Sequence, residues 1–380
     1  MELYIAGGCS EHGRNCFLVK GSSVSFLVDA GLMKEKPEVP YPELTPAQVK
    51  SASYLFLTHS HTDHTGAIPW LYENGFSGRI IASEPTFSYL KNDYADQVTL
   101  ASLGKPMTKM RLQSGLSFLY GRAGHSLGSV WYLFYVEGSR ILFSGDYQEH
   151  SYAYNCDKIR GVSADAAVID SAYGKEKITN KERRHVLEKG MKSLRHLRAP
   201  VLFPVPAHGR GLDLIRLLTE DGIPICLPEY MVTDFTKIPH ADLWLKKGFQ
   251  KAYRNMTMLP FEKGATLSDI TGKEHGSIAI LVRDSQLYDL ENQILADDVI
   301  KAGGKVILTG KQNPQSYARE LLDKEKAEFW RIPVHQTVRE MKDIMDNNHF
   351  TYTLPYHCRE TLEFKNRSIR VLKAGDMMKF

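Results

Sequence analysis

At 380 residues the chain exceeds what one compact core usually holds, so two domains, or one domain carrying a large insertion, are expected. With 43% hydrophobic and 24% charged residues it is neither disordered nor fibrous, and a net charge of +4 is too mild to name a partner. No apolar run approaches the roughly 18 residues of a membrane helix, and the start runs straight into strand-like Leu3-Tyr4-Ile5 without an export signal.

The first 170 residues read as short β-runs broken by glycine and histidine loops: Leu3–Ala6, Cys16–Lys20, Val24–Asp29, Tyr54–Leu57, Arg79–Ala82, Val130–Val136, Arg140–Phe143 and Ala166–Ile169. Helical spacing is expected over Thr65–Tyr72 and Pro85–Gln97. From about Asn180 the texture changes. Amphipathic helices (Asn180–Arg198, Arg210–Glu220, Tyr288–Ala302, Gln315–Lys326) alternate with short apolar strands (Val201–Val205, Ile225–Leu227, Ile278–Val282, Lys305–Leu308), which predicts βα units around a parallel sheet. The last 50 residues return to the earlier style, with strands at Thr351–Leu354 and Ile369–Leu372. The order predicts an α/β domain over 176–329 inserted into a β-rich host at 1–175 and 330–380. Five cysteines (Cys9, Cys16, Cys156, Cys226, Cys358) stand at scattered spacings without a Cys-x-x-Cys pair, so a reduced, cytoplasmic protein is expected.

The chemistry begins where the apolar run Tyr54-Leu55-Phe56-Leu57 ends, at Thr58-His59-Ser60-His61-Thr62-Asp63-His64. Two imidazoles two residues apart can share one cation, and Asp63 with His64 turn toward a neighbouring position, so one loop can serve two metals. Imidazole with carboxylate suits a catalytic site with an open position; a closed structural site would favour thiolates. Further on, Gly124-His125-Ser126 places a histidine in a turn of small residues, and Ser144-Gly145-Asp146 places an aspartate after Arg140–Phe143.

With His125 and Asp146 following the histidine cluster in this order, the chain resembles the metallo-β-lactamase superfamily. The resemblance implies an αββα sandwich with the site at the strand ends on one edge. It implies that His59, His61 and His125 bind a first metal, Asp63 and His64 a second, and that Asp146 bridges both. Two divalent ions about 3.5–4 Å apart would lower the pKa of a shared water and polarise the scissile group. Zn²⁺ is the expected metal, and Mn²⁺ and Fe²⁺ accept the same ligands.

Several segments resemble the β-CASP nucleases within that superfamily: Gly7-Gly8-Cys9-Ser10-Glu11-His12-Gly13-Arg14-Asn15-Cys16, Asp29-Ala30-Gly31, and Ala167-Val168-Ile169-Asp170-Ser171-Ala172-Tyr173-Gly174. Phe203-Pro204-Val205-Pro206-Ala207-His208-Gly209-Arg210 is similar to the opening of the inserted domain, with His208 a further residue of interest. Val334-His335-Gln336-Thr337 and Pro355-Tyr356-His357-Cys358-Arg359-Glu360 stand where the branch has its later motifs. The resemblance implies that His357 caps the second metal and that His335, oriented by Asp170, acts near the scissile phosphate. A histidine at the position of His357 goes with RNA there, valine with DNA. Ala172, Gln336-Thr337 and Cys358-Arg359 depart from the usual motifs.

Two basic stretches fit a polyanion. Lys175 to Arg198 carries nine basic residues against three acidic, and Lys246-Lys247-Gly248-Phe249-Gln250-Lys251-Ala252-Tyr253-Arg254 interleaves cations with aromatics. Either is equally a solvated face. Arg210, Lys246, Lys247 and Lys251 are taken as candidate substrate contacts, Asp63, Asp170 and His335 as candidate catalytic residues. The expectation is an RNA phosphodiesterase of endo or 5′-exo type, with RNA rather than DNA as partner, no membrane, and a homo-oligomer left open. A hydrolase of a small cyclic phosphodiester or thioester, and a non-catalytic scaffold subunit, remain the alternatives.

Overall fold

The computed structural model describes residues 1–90, 92–236, 241–249, 258–272, 277–360, 362, 364 and 368–380. Contacts divide the chain into two compact units. One comprises Met1–Glu149, Asn155–Thr179 and Val334–Phe380; the other comprises His150–Tyr154 and Asn180–Pro333. Among the described residues no helix is long and apolar enough to cross a membrane.

The first unit contains two mixed sheets. One runs Met377–Lys379, Glu2–Gly7, Cys16–Lys20, Ser25–Val28, Tyr54–Phe56, Arg79–Ala82, Gln97–Thr99. The other runs His349–Tyr356, Ser163–Asp170, Ser139–Phe143, Val130–Val136, Leu116–Arg122, Met110–Gln113. Their inner faces meet through aromatic rings, with Phe26 and Phe56 of the first sheet lying 4.6 and 4.7 Å from Phe134 of the second, centroid to centroid. The outer face of the first sheet, with Leu18, Leu27 and Leu55, is covered by Val49, Ile68 and Leu71 from the helices Pro46–Ser51 and Ile68–Glu73. Met341, Ile344 and Met345 of the helix Val338–Asp346 cover Trp131, Leu133 and Ile169 of the second. The layers are therefore helix, sheet, sheet, helix.

Direction matters more than layering for the site. Ser25–Val28 pairs parallel with Tyr54–Phe56, and Ser163–Asp170 pairs parallel with both Ser139–Phe143 and His349–Tyr356. In each sheet the parallel neighbours therefore end on one edge, where Asp29 and the loop opening at Thr58 follow the first sheet's strands and Asp146 and His357 follow the second's.

The second unit is built on a six-stranded parallel sheet in the order Met258–Phe261, Ile225–Pro228, Ile278–Val282, Pro200–Pro204, Lys305–Leu308, Ala327–Phe329. All five residues of Ile278–Val282 are buried, as expected of a strand covered on both faces. The helices Arg210–Glu220, Leu290–Lys301 and Tyr317–Asp323 alternate with the strands.

Several elements differ from the sequence reading. The helix expected over Pro85–Gln97 stops after Glu84–Ser88, because Leu90 and Tyr94 reach the same apolar cluster as Phe87 from non-helical chain and Asn92-Asp93 favours a turn. Ile369–Leu372 forms no strand, only a single bridge from Ile369 to Thr353. The helix expected to reach Arg198 ends at Leu194, the last residue of it that is buried. The hairpin Met110–Gln113 with Leu116–Arg122 was not anticipated, although Leu116, Phe118 and Tyr120 alternate inward with period two. The helix Val338–Asp346 was also missed; its signature is the capping box Thr337…Glu340.

Phe56 is fully buried against Phe26, Phe118, Tyr132 and Phe134. Phe56→Ala should cost about 3–5 kcal/mol, read as a lowered urea midpoint. A loss below about 1 kcal/mol would mean that the aromatic layer closes over the gap.

Candidate metal centre

The loop after Tyr54–Phe56 is held in place before any ligand is considered. Thr58 donates its backbone N–H and its hydroxyl to the two carboxylate oxygens of Asp29, at 2.7 and 2.8 Å. Asp29 sits in the left-handed region at φ 61°, a conformation aspartate tolerates better than most residues, and is 2% exposed. Its Oδ2 also accepts from His64 Nδ1 at 2.8 Å, which fixes that ring's tautomer and turns Nε2 the other way. Asp63 and His64 lie in the short helix Thr62–Thr65, which starts directly after His61. His125 is fixed in the same manner, donating Nδ1–H to the Val334 carbonyl oxygen at 2.7 Å.

The histidines converge on one buried carboxylate. Asp146 Oδ2 lies 3.6 Å from His59 Nε2 and 3.4 Å from His125 Nε2, while Oδ1 lies 3.3 Å from His64 Nε2 and 3.3 Å from His357 Nδ1. His61 Nδ1 is 3.1 Å from His125 Nε2. On the other flank, Asp63 Oδ2 lies 3.2 Å from His357 Nε2 and 3.7 Å from His64 Nε2. Two groups result whose ligand-type atoms lie within 4.8 Å of one another, His59, His61, His125 and Asp146, and Asp63, His64 and His357; a third that meets the same distance, Asp146, Asp170, His335 and His357, overlaps both. Tyr356 donates its hydroxyl to Asp146 Oδ1 at 3.0 Å.

This arrangement is unfavourable without a cation. His59 Nε2 and His357 Nδ1 are buried without a hydrogen-bond partner, and each faces Asp146. Orphaned buried nitrogens beside an anion, with the opposite ring nitrogens of His64 and His125 already tied back, are the donor set of a divalent ion. The residues present therefore fit such an ion at both groups.

The electrostatics agree. Burial holds His59 well below the usual imidazole range and lowers His125 to about 4, so both are neutral and can offer lone pairs. Burial would also lower His64 and His357, but the surrounding carboxylates outweigh it. His64, beside Asp146, Asp29 and Asp63, is held well above its ordinary value, and His357, facing Asp146 and Asp63, is pushed up to about 10. Burial opposes the charge on Asp63 and Asp146 as well, yet His64 and His357 keep both carboxylates below their usual range.

A second constellation adjoins the first. His335 Nδ1 donates to Asp170 Oδ2 at 2.9 Å and lies 3.8 Å from Asp146 Oδ2. Asp170 is fully buried, and accepts further from Tyr147 N at 2.9 Å and Ala172 N at 3.0 Å. The Tyr173 ring meets the His335 ring edge-on at 5.3 Å, and its hydroxyl accepts from Val334 N at 3.0 Å.

Every residue singled out in the sequence as a metal ligand, together with Asp170 and His335, is thus brought into one neighbourhood. The basic candidates stand elsewhere in the chain. Arg210, Lys246 and Lys247 belong to the second unit, where the Lys246 ammonium donates to the Ser151 carbonyl oxygen and the Arg210 guanidinium occupies the space that a side chain on Gly310 would need. Lys251 lies outside the described residues. Sequence reasoning gave no role to Asp29, whose signal is an acid ending a strand before Ala30-Gly31, nor to Tyr356, which has none beyond preceding His357.

Residues 10–151 match the metallo-beta-lactamase superfamily. That match covers part of the first unit, and together with the donor set it supports the use of a divalent metal. Among sequence relatives it is 25% identical to Endoribonuclease YSH1 of Kluyveromyces lactis, over 58% of this chain and 33% of that one. It is 27% identical to Cleavage and polyadenylation specificity factor subunit 3-I of Arabidopsis thaliana, over 56% of this chain and 34% of the other. Likewise it is 27% identical to Cleavage and polyadenylation specificity factor 73 of Drosophila melanogaster, over 58% and 36%. The matched part thus spans about a third of each relative, and those relatives belong to the β-CASP branch. In fold, the chain is similar to a crystal structure of a protein of unknown function from Enterococcus faecalis, with TM-score 0.67, 11% identity and 99% of both chains covered.

Because His357 at about 10 and His64 above its ordinary value are protonated near neutral pH, loading the metal-free protein must displace those protons. Affinity for Zn²⁺ should therefore rise steadily from pH 6 toward 9, and titration calorimetry in buffers of different ionisation enthalpy should show net proton release. A pH-independent affinity without proton release would contradict the arrangement. Asp29→Asn, which removes the carboxylate behind His64, should weaken metal binding about 10–100-fold.

Proposed function

We propose that the chain is a ribonuclease that hydrolyses RNA phosphodiester bonds with two divalent ions, Zn²⁺ first among them, in a reducing cytoplasmic setting that its five unbridged cysteines favour. The observation that carries this reading is Asp146, whose two oxygens face separate imidazole groups while His335, paired with Asp170, stands beside it. The names of the relatives supply the substrate class, which geometry alone leaves open between phosphorus and acyl carbon.

His59, His61 and His125 would hold one ion and Asp63, His64 and His357 the other, with Asp146 shared. Bound there, the two cations supply charge to polarise the phosphate and to make a water acidic near neutral pH. The remaining work falls to the protein. Asp63, with its side chain 30% exposed, is the ligand carboxylate most open to an incoming water. His335, with its side chain 13% exposed, has Nδ1 committed to Asp170, which leaves proton exchange with the departing oxygen to Nε2. Asp170 fixes the imidazole tautomer and stabilises its cationic form, while its own charge is spread over three hydrogen bonds.

Cleavage of a 5′-labelled, partly single-stranded RNA by the zinc-loaded protein tests the reading, and the product ladder separates internal cutting from 5′ trimming. Asp63→Ala should lose metal and activity together. His335→Ala should lower turnover by about 10²–10⁴-fold while metal content stays constant. Undiminished turnover in His335→Ala would remove that residue from the mechanism. A protein that retains two metals without cutting RNA would point to a small cyclic phosphodiester or thioester as substrate.

A further inference from the structure

The basic segment between Lys175 and Arg198 resolves into a defined surface. Within the helix Asn180–Leu194, Leu187, Met191 and Leu194 are buried, whereas Lys181, His185, Lys189 and Lys192 are all exposed. At 3.6 residues per turn these four fall within an arc of about 80°, opposite the buried side, and extend over about 16 Å. They form one stripe.

What distinguishes the stripe is that its lysines are not paired with the helix's two acids, Glu182 and Glu188. On the unit's other helices the cations carry an acid one turn away: Arg216 with Glu220 at 2.6 Å, Lys301 with Asp298 at 3.1 Å, Arg319 with Asp323 at 2.7 Å. Among the described residues, Lys181, Lys189 and Lys192 make no ion pair. Glu188, four residues before Lys192 and well placed to neutralise it, is turned to the Tyr152 hydroxyl at 3.3 Å and to Arg184 at 3.7 Å. Like charges one turn apart repel, so such a row is unfavourable unless an anion with matching spacing lies along it.

We infer that this face of the helix Asn180–Leu194 binds the phosphate backbone of single-stranded RNA, with Lys181, Lys189 and Lys192 each neutralising a phosphate. The inference rests on the ribonuclease reading and adds a binding surface carried by the second unit. It is independent of base identity, since ammonium groups on flexible stems read charge alone.

The test is the salt dependence of binding, measured by anisotropy of a fluorescent single-stranded RNA with the full chain in EDTA, between about 50 and 200 mM salt. Replacing three lysines by glutamine (Lys181→Gln, Lys189→Gln, Lys192→Gln) should reduce the slope of log affinity against log salt by about 2, at roughly 0.7 per phosphate. The triple arginine variant should restore it, and glutamine at the paired Lys263, Lys301 and Lys324 should leave it unchanged. RNA cut by the wild type with an unaltered slope in the Lys→Gln variant overturns the stripe and spares the ribonuclease reading. A wild type that neither binds nor cuts RNA overturns both. Loss of binding to anionic vesicles, with RNA binding unaffected, would assign the stripe to a membrane surface and overturn the proposal.

Discussion

A buried anion organises this protein. Asp146 is 1% exposed, within 4 Å of five imidazoles, and could not remain charged there alone. Those five histidines arrive from four separate places in the chain, and only an edge where several parallel strands end together brings them to one carboxylate. The two sheets, their directions and the aromatic layer between them can be understood as the scaffold that this convergence requires. Tyr356 and Asp29 extend the same logic outward, one donating to the central carboxylate and the other orienting a ring that faces it.

The centre divides its histidines into two electrical kinds. His59 and His125 are neutral because they are buried deeper than nearby carboxylates can offset, whereas His64 and His357 are charged because those carboxylates surround them. The neutral rings offer lone pairs at once, whereas the charged rings must first give up a proton before they can hold a cation.

Much of this was legible in the amino-acid order, because ligands that share a loop must be close in sequence. His59, His61, Asp63 and His64 announce themselves by spacing, and His125 and Asp146 by coming after that cluster in the expected order. Legibility fades where partners are distant. Nothing local to Asp29 says that it will accept a hydrogen bond from a ring 35 residues on, and nothing local to Lys246 says that its ammonium will be used on a backbone carbonyl. The same holds for elements. Phe87, Leu90 and Tyr94 have helical spacing, and tertiary packing uses the last two from another backbone conformation. The alternation in Leu116–Arg122 was present in the sequence but lies between a glycine turn and the more apolar Val130–Val136, which drew the reading instead.

The order of the strands has a consequence for synthesis. Ser163–Asp170, six of its eight residues buried, is made long before its neighbour His349–Tyr356, and most of the second unit is translated between them. Until that late strand emerges from the ribosome, the sheet presents an unpaired edge of backbone donors and acceptors, a hazard for association between nascent chains. His335 and His357 arrive in the same last stretch. An incomplete polypeptide therefore has a sticky edge and an unfinished centre together, and both are resolved by the same closing segment.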